Sequence, residues 1–370
     1  MGYVGAKPSA VPLTSADITD GIITNADISS TAAIAQSKIL GNPLTKNAII
    51  NGDFSIAQRG TSFTSSANNN DVYTLDRWYI LSDGNDAIDV TQETTTVPTN
   101  QLTAIALDVE TANKKFGIAQ IIEQKNCVGL IGNTVTLSFK AKVSATTKLD
   151  NVKCAIVAWS GTADTVTSDI ISAWGAEGTN PTLIANATYE NTPANLNVTT
   201  SYATYSVSAA VDTASTKNII VFIWSDVTDT TAGDFLYITD VQLEKGSAAS
   251  DFEFLPIDVS LAKCLRYFHT FRGADVEICQ GGMTSTTTFA GIVHHPVEMR
   301  ASPTFTANSG TDYFRVFTGS GSNPTTLGSE HLQKKSMTVT ATTPGSLTLG
   351  HSGRIRCLSA SATVDYSAEL

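Results

Sequence analysis

Few residues in this chain are spaced for catalysis. Glycoside hydrolysis needs two carboxyl groups about 5 to 10 Å apart across a cleft. The acids Asp76, Glu110, Glu123, Asp240 and Glu244 are instead scattered through the chain and read as solvated or turn residues. No G-x-S-x-G elbow occurs, and GSGSNP at 319–324 has neither a strand before it nor a helix after it, so it is neither a nucleophile turn nor a phosphate loop. His294 and His295 are adjacent. Successive side chains of a strand point to opposite faces, so the pair does not chelate one ion unless a histidine of another subunit joins it. Cys127, Cys154, Cys264, Cys279 and Cys357 are an odd set at wide spacings without a C-x-x-C pair, and read as unpaired, buried thiols. The expectation is a non-enzymatic chain that requires no cofactor.

Aromatic residues are better candidates, for binding. Sugars present flat C–H faces that stack on exposed aromatic rings, with amides and carboxylates beside them to hold hydroxyls. Trp159, Trp174, Tyr189 and Tyr202 lie in or near polar, loop-rich text and are the candidate glycan-binding residues, packing being the alternative for each. Trp78 and Trp224 read as buried, with Trp78 capping one end of a sheet pair while Asp76 and Arg77 satisfy loop backbone groups.

The elements that must position these residues are mostly strands. In TVTLSFKAKV the residues Val135, Leu137, Phe139, Ala141 and Val143 alternate with polar positions, one face inward and one outward. Tyr205, Val207, Ala209 and Val211 repeat the pattern, and 218–226 is an apolar run that reads as a strand covered on both faces. In DFLYITDVQLEKG at 234–246, Phe235, Tyr237, Val241 and Leu243 are expected on one side. Short strands divided by Gly, Asn, Asp and Thr clusters indicate a sandwich or barrel between 47 and 257. One helix is expected at 258–272, from Val259, Leu261, Leu265 and Phe268, and a smaller β domain at 273–370. Before all of this, Ile18, Ile23, Ile28, Ile34 and Ile39 recur every five or six residues, a spacing that one chain cannot bury alone but three copies around an axis can, a disordered leader of low hydrophobicity being the alternative.

Charge limits the partners. The net charge is −11, and charged residues are 15% of the chain against roughly 25% in average soluble proteins. No basic cluster suits nucleic acid, no apolar run is long enough for membrane insertion, and the start lacks the order of a signal peptide, so the chain is expected to be made and kept soluble in a cytoplasm.

Ordered motifs then carry a resemblance. NAIINGDFSIAQRGTSF and YTLDRWYI at 47–80, NTVTLSFKAKV in the middle and LYITDVQLEKGSAASDFEF at 236–254 resemble a carbohydrate-binding-module-like jelly roll found in bacteriophage tail-fibre and other virion proteins. LAKCLRYFHTF at 261–271 and HPVEMRASPTFT resemble the helix and a later strand of such fibres, and VPLTSADITDGIIT at 11–24 resembles the attachment and stalk segment of marine-phage fibres. The resemblance implies a structural calcium held by Asp53 and Asp240 with backbone carbonyls, although Ser55 stands where the family has a charged Glu.

The expected architecture is therefore all-β, with a virion anchor and isoleucine stalk at 1–46, a jelly-roll sandwich at 47–257, a linker helix at 258–272 and a distal β domain at 273–370. The expected role is a homotrimeric tail fibre of a virion, assembled in the host cytoplasm. It would contact other virion proteins through its N-terminus and a host surface glycan or protein through its distal loops, TANSGTD and TGSGSNPTTLGSE. The rivals are a purely structural head fibre, decoration or tail-adaptor protein and, third, a polysaccharide depolymerase.

Overall fold

Alternation of apolar and polar residues builds two antiparallel sheets that share one core. The computed structural model describes residues 46–370 apart from Ala214, so the anchor and the stalk residues Ile18, Ile23, Ile28, Ile34 and Ile39 lie outside the described residues. The six-stranded sheet runs, in spatial order, Ser62–Phe63, Ile88–Glu93, Ala104–Val109, Phe235–Lys245, Thr134–Val143 and Ala203–Ala210. The five-stranded sheet runs Ala187–Tyr189, Val152–Trp159, Asn218–Ser225, Phe116–Ile122 and Tyr79–Ser82. Val135, Leu137, Phe139, Ala141 and Val143 face Ile118, Ile122, Cys154, Ile156, Ile219, Val221 and Ile223 across the core. The fold is all-β, as the periodicity requires.

Trp78 is fully buried in that core, and its indole Nε1 donates to the Asn51 carbonyl at 2.9 Å. Of the neighbouring charges, Asp76 meets a loop backbone group as expected, whereas Arg77 meets a carbonyl of the strand Phe116–Ile122. Asp76 accepts from the Gln58 backbone N–H at 2.6 Å, and Arg77 Nη2 donates to the Ile121 carbonyl at 2.6 Å.

One strand departs from simple alternation. A bulge in Phe235–Lys245 lies between Thr239 and Gln242, where Asp240 takes a left-handed φ of 55°. The extra residue switches the facing. Leu236 and Ile238 before it, and Val241 and Leu243 after it, enter the core, so Phe235 and Tyr237 do not share a side with Val241 and Leu243 as uninterrupted alternation predicts.

After the sandwich the helix spans only Ile257–Leu265, shorter than the expected 258–272. The following aromatic and β-branched residues form the strand Phe268–Arg272, whose partner Thr363–Ser367 comes from near the end of the chain and outweighs helical continuation. That strand belongs to a three-stranded sheet with Thr304–Ala307, beside a seven-stranded sheet, around a separate core of Phe289, Phe314, Val316, Met337, Val339, Ile355 and Tyr366. The presumed distal loops are partly strand, since Thr304–Ala307, Gly321–Ser322 and Leu327–Glu330 all pair with neighbours.

The chain's last residues return to the sandwich. Glu369 pairs with the buried Arg77 and, at 3.2 Å, with Arg59. Leu370 is buried against the five-stranded sheet, and its carbonyl accepts from Tyr73 Oη at 2.7 Å. At the same junction Glu123 binds Arg266 at 2.7 Å and Tyr267 Oη at 2.9 Å.

Candidate functional site

The outer face of the five-stranded sheet carries most of the expected aromatic candidates and is filled by the chain itself. Val166, Ile170, Ile171, Trp174, Leu183 and Ile184, from the 160–190 segment, pack on Ala119, Ile121, Val157, Ile220, Phe222 and Trp224. The segment's far end is fixed by a buried charge group. Lys115 Nζ lies 2.5 Å and Lys153 Nζ 2.6 Å from the two Asp226 oxygens, Asp226 accepts from the Gly178 N–H, and Lys115 donates to the Ala176 carbonyl. Trp159 and Trp174 are only 8% and 9% exposed; Trp159 Nε1 donates to the Thr162 carbonyl and Trp174 meets Phe222 edge-on at 6.0 Å. Tyr189 packs on the same cluster and donates its hydroxyl to the Pro181 carbonyl. These three rings come together, but as packing: a platform needs an open ring face, and here the rings are spent on a second core.

Tyr202 sits apart, on the outer face of the six-stranded sheet. It is half-buried, and its hydroxyl donates to the Thr96 carbonyl at 2.8 Å. The bulge described above turns Phe235 and Tyr237 onto this same face, half-buried, their rings parallel with centroids 5.5 Å apart. Lys142 Nζ lies 5.5 Å from the Tyr237 ring and 5.9 Å from the Tyr202 ring. Register places Thr91, Ala106, Tyr237 and Lys142 in one row across four strands, and Asp89, Asp108 and Phe235 in the next. Burial and then Glu93 push the Tyr202 and Tyr237 hydroxyls above the usual phenol range, so both stay protonated donors. Burial, then Asp89 and Glu110, raise Asp108. The face offers apolar ring area, an ammonium and the half-buried carboxylates of Asp89 and Asp108, which are the groups that hold a sugar ring by stacking and hydroxyl contacts. Sequence reading found Tyr202 but missed Phe235 and Tyr237, because only the bulge moves them outward.

Asp53 and Asp240 are also brought close. Thr103 Oγ1 donates to the Asp53 carbonyl at 2.7 Å while the Thr103 carbonyl accepts from Thr239 Oγ1 at 2.9 Å. Asp240 is 4% exposed; Oδ2 accepts from Gln101 Nε2 at 2.7 Å and lies 2.9 Å from Lys140 Nζ, while Oδ1 has no partner. Its carboxyl is raised by burial, an effect opposed by Lys140 and reinforced by Asp53. Calcium takes about six to eight oxygen ligands. Here Asp53 bonds Ser55, the residue in place of the charged ligand, and among the described residues no group of three or more His, Cys, Asp or Glu side chains is placed to hold a metal. An ammonium already neutralises Asp240, so the residues present do not fit a resident calcium.

The acids read as solvated or turn residues are mostly not solvated, although Asp76 does lie in a turn. Asp76, Glu123, Asp240 and Glu244 are buried, and Glu244 accepts from Ser250 Oγ at 2.6 Å and Gln242 Nε2 at 2.8 Å. All five thiols are free and buried; burial raises Cys127, Cys154 and Cys279 to about 12 and Cys357 to about 11, far from a nucleophilic thiolate. His294 is exposed and His295 buried, opposite faces as expected, and His295 Nδ1 instead meets His269 Nε2 at 2.7 Å.

No family model and no curated protein sequence matches the chain. Among solved structures it is similar to the enzymatically active domain of bacteriophage CBA120 tailspike protein 4, at 16% identity and a TM-score of 0.31, over 54% of this chain and 21% of that one. It is also similar to TmCBM61 in complex with β-1,4-galactotriose, at 14% identity and a TM-score of 0.29, over 55% of this chain and all of that one. A third is the CBM22-1 xylan-binding domain of Paenibacillus barcinonensis Xyn10C, at 11% identity and a TM-score of 0.29, over 51% and 94% of the two chains. The chain thus spans about a fifth of the tailspike structure's length.

Proposed function

We propose that this chain is a non-enzymatic attachment protein whose sandwich binds glycan on the outer face of its six-stranded sheet. The observation that carries the reading is the open row formed by Tyr202, Lys142 and Tyr237 with Phe235 beside it. Aromatic side chains of this size are usually spent in cores. On the opposite sheet they are, while on this one they stay at the surface next to charged and hydroxyl groups. The finer identity, a trimeric tail fibre of a phage virion, is supported by the order of the sequence motifs quoted above.

The test is saccharide binding by the full chain, on an array and then by calorimetry, comparing the native protein with Tyr237→Ala and Trp174→Ala. Loss of binding in Tyr237→Ala with a native melting profile is the expected result, with Trp174→Ala binding normally once folded. A second reading, a spacer without a ligand, is favoured by the filled outer face of the five-stranded sheet. It predicts that no saccharide binds either the native chain or the variants.

A further inference from the structure

The outer face of the seven-stranded sheet, in the region after the helix, holds a cluster unlike the rest of this acidic chain. Arg315 and Phe317 lie on the strand Phe314–Phe317, and Arg354 and Arg356 on its neighbour Ser352–Cys357. Alternation sends Val316, Ile355 and Cys357 inward and the three arginines with Phe317 outward. The three guanidinium carbons gather around one ring, at 5.0 Å for Arg315, 5.5 Å for Arg354 and 4.5 Å for Arg356.

This arrangement is costly as it stands. Arg315 and Arg356 are direct cross-strand partners, and like charges facing each other across a ladder are destabilising. Two carboxylates offset the cluster only in part. Glu277 is 3.3 Å from Arg354 and Asp275 is 3.1 Å from Arg356, both pairs at the surface, where such contacts contribute little and are easily exchanged. Arg315 makes no ion pair among the described residues, and its Nε and that of Arg356 are shielded from solvent without a hydrogen-bond partner.

The backbone is shaped around these groups. A side chain at Gly321 would sit 2.2 Å from Arg315 Nε, so only glycine there lets the guanidinium lie against the adjoining strand. Beside the arginines opens a groove of about 370 Å³ lined by Gln280, Gly281, Phe317, Ser352, Gly353 and Arg354. At Gly353 an added Cβ would come within 2.1 Å of the Phe317 carbonyl, and at Gly281 within 2.0 Å of the Ala290 carbonyl, so both positions need glycine for the strands beneath the groove to pack this closely.

We infer that this groove is a second saccharide site, selective for sugars that carry an oxyanion: a carboxylate, sulfate or phosphate. Guanidinium groups bind such groups through parallel, charge-assisted hydrogen bonds, and the Phe317 ring and Gln280 amide supply the stacking and hydroxyl contacts a sugar ring needs. The inference rests on the glycan-attachment reading and names the ligand class for a part of the chain that the sandwich face does not serve. Two weak sites on one chain would reinforce each other on a polysaccharide surface.

The test uses the full chain, titrated calorimetrically with trigalacturonate, a sulfated disaccharide, inorganic phosphate and neutral galactotriose. Binding of at least one acidic saccharide is expected, weakening with added salt. Arg315→Gln and the more exposed Arg354→Gln should each weaken it about tenfold or more, the loss of one charge-assisted contact. Lys335→Gln, a remote exposed lysine, controls for net charge and should leave binding unchanged. Which acidic probe binds identifies the oxyanion. Acidic saccharide binding that survives both arginine variants overturns the site, as does binding of inorganic phosphate alone. If only galactotriose binds, and equally to all variants, the glycan reading stands and this inference falls; if no saccharide binds at all, both fall.

Discussion

The two sheets of the sandwich share one core and differ on their outer faces. The five-stranded sheet is buried on both sides: its strands Phe116–Ile122, Val152–Trp159 and Asn218–Ser225 have no exposed position. The six-stranded sheet keeps its outer face in water, and its aromatic residues there lie beside lysine, threonine and aspartate. The same residue types therefore do different work according to what covers them. On the first sheet an inserted segment and the chain's own end turn tryptophans into packing; on the second, a bulge turns a phenylalanine and a tyrosine out of the core.

The largest expected effect lies on the filled face. Trp224 is fully buried and stacks on Phe222 with ring centroids 4.4 Å apart. Trp224→Ala should destabilise the chain by about 3 to 5 kcal/mol, the usual cost of emptying an aromatic core site. Urea unfolding measures this, and a variant of native stability would show that the face is not a true core.

Next comes the clamp that brings the end of the chain onto the same face. Glu369→Ala leaves the guanidinium of Arg77, 1% exposed, without its carboxylate, and removing one member of a buried pair costs about 3 to 5 kcal/mol. Arg77 keeps its stacking on Tyr267 at 3.7 Å and its bond to the Ile121 carbonyl, which points to the low end of that range. The loss should be rescued in part by Arg77→Met in the Glu369→Ala background. It also follows that truncation at 273 would unsettle the sandwich, so binding by such a fragment would not separate the two regions cleanly.

Acid should loosen the region after the helix, because all five histidines lie at position 269 or later. His269 is 3% exposed, stacks on Tyr366 with centroids 4.3 Å apart, and is lowered to about 3 by burial and then by His295; His295 is lowered too, by burial first. An imidazole whose folded value lies below its unfolded value of about 6.5 binds more protons when unfolded, so its contribution is complete above that value. Stability should then fall as pH drops from about 6.5 towards 3, by at most about 1.4 kcal/mol per pH unit for one proton. Melting temperature against pH checks this, and His269→Gln should flatten the upper part of the curve. An unchanged curve in that variant would place the acid sensitivity elsewhere.

The smallest stability effects belong to the open face. Tyr237→Ala removes a half-buried ring and should cost only about 1 kcal/mol, within the range of ordinary substitutions. Lys140→Met, which strips Asp240 of its ammonium, should cost about 1 to 3 kcal/mol, and a chelator should leave the melting temperature of the native chain unchanged. A chelator-induced fall would show that a metal ion, not Lys140, neutralises the site.

Much of this contrast was legible in the residues, and the rest was not for identifiable reasons. Thr134–Val143 alternates without interruption and was placed from sequence, as was the doubly covered strand Asn218–Ser225, because both patterns are local. The bulge at Asp240 is invisible locally, since the left-handed residue is held by Gln101 and Lys140, which are distant in sequence. The Arg77–Glu369 pair spans 292 residues, beyond any pattern that a local reading detects. Trp159 and Trp174 misled for the same reason: their polar neighbours in sequence are not their neighbours in space, which are Phe222, Ile170 and Ile171.

Glycan binding on the open face of the six-stranded sheet can be located by chemical-shift mapping of the full chain. A neutral oligosaccharide selected on an array would be titrated while amide signals are followed. The largest shifts should fall on Lys142, Tyr202, Phe235 and Tyr237. Shifts centred on Trp159, Trp174 and Phe222, or confined to residues after the helix, would contradict it.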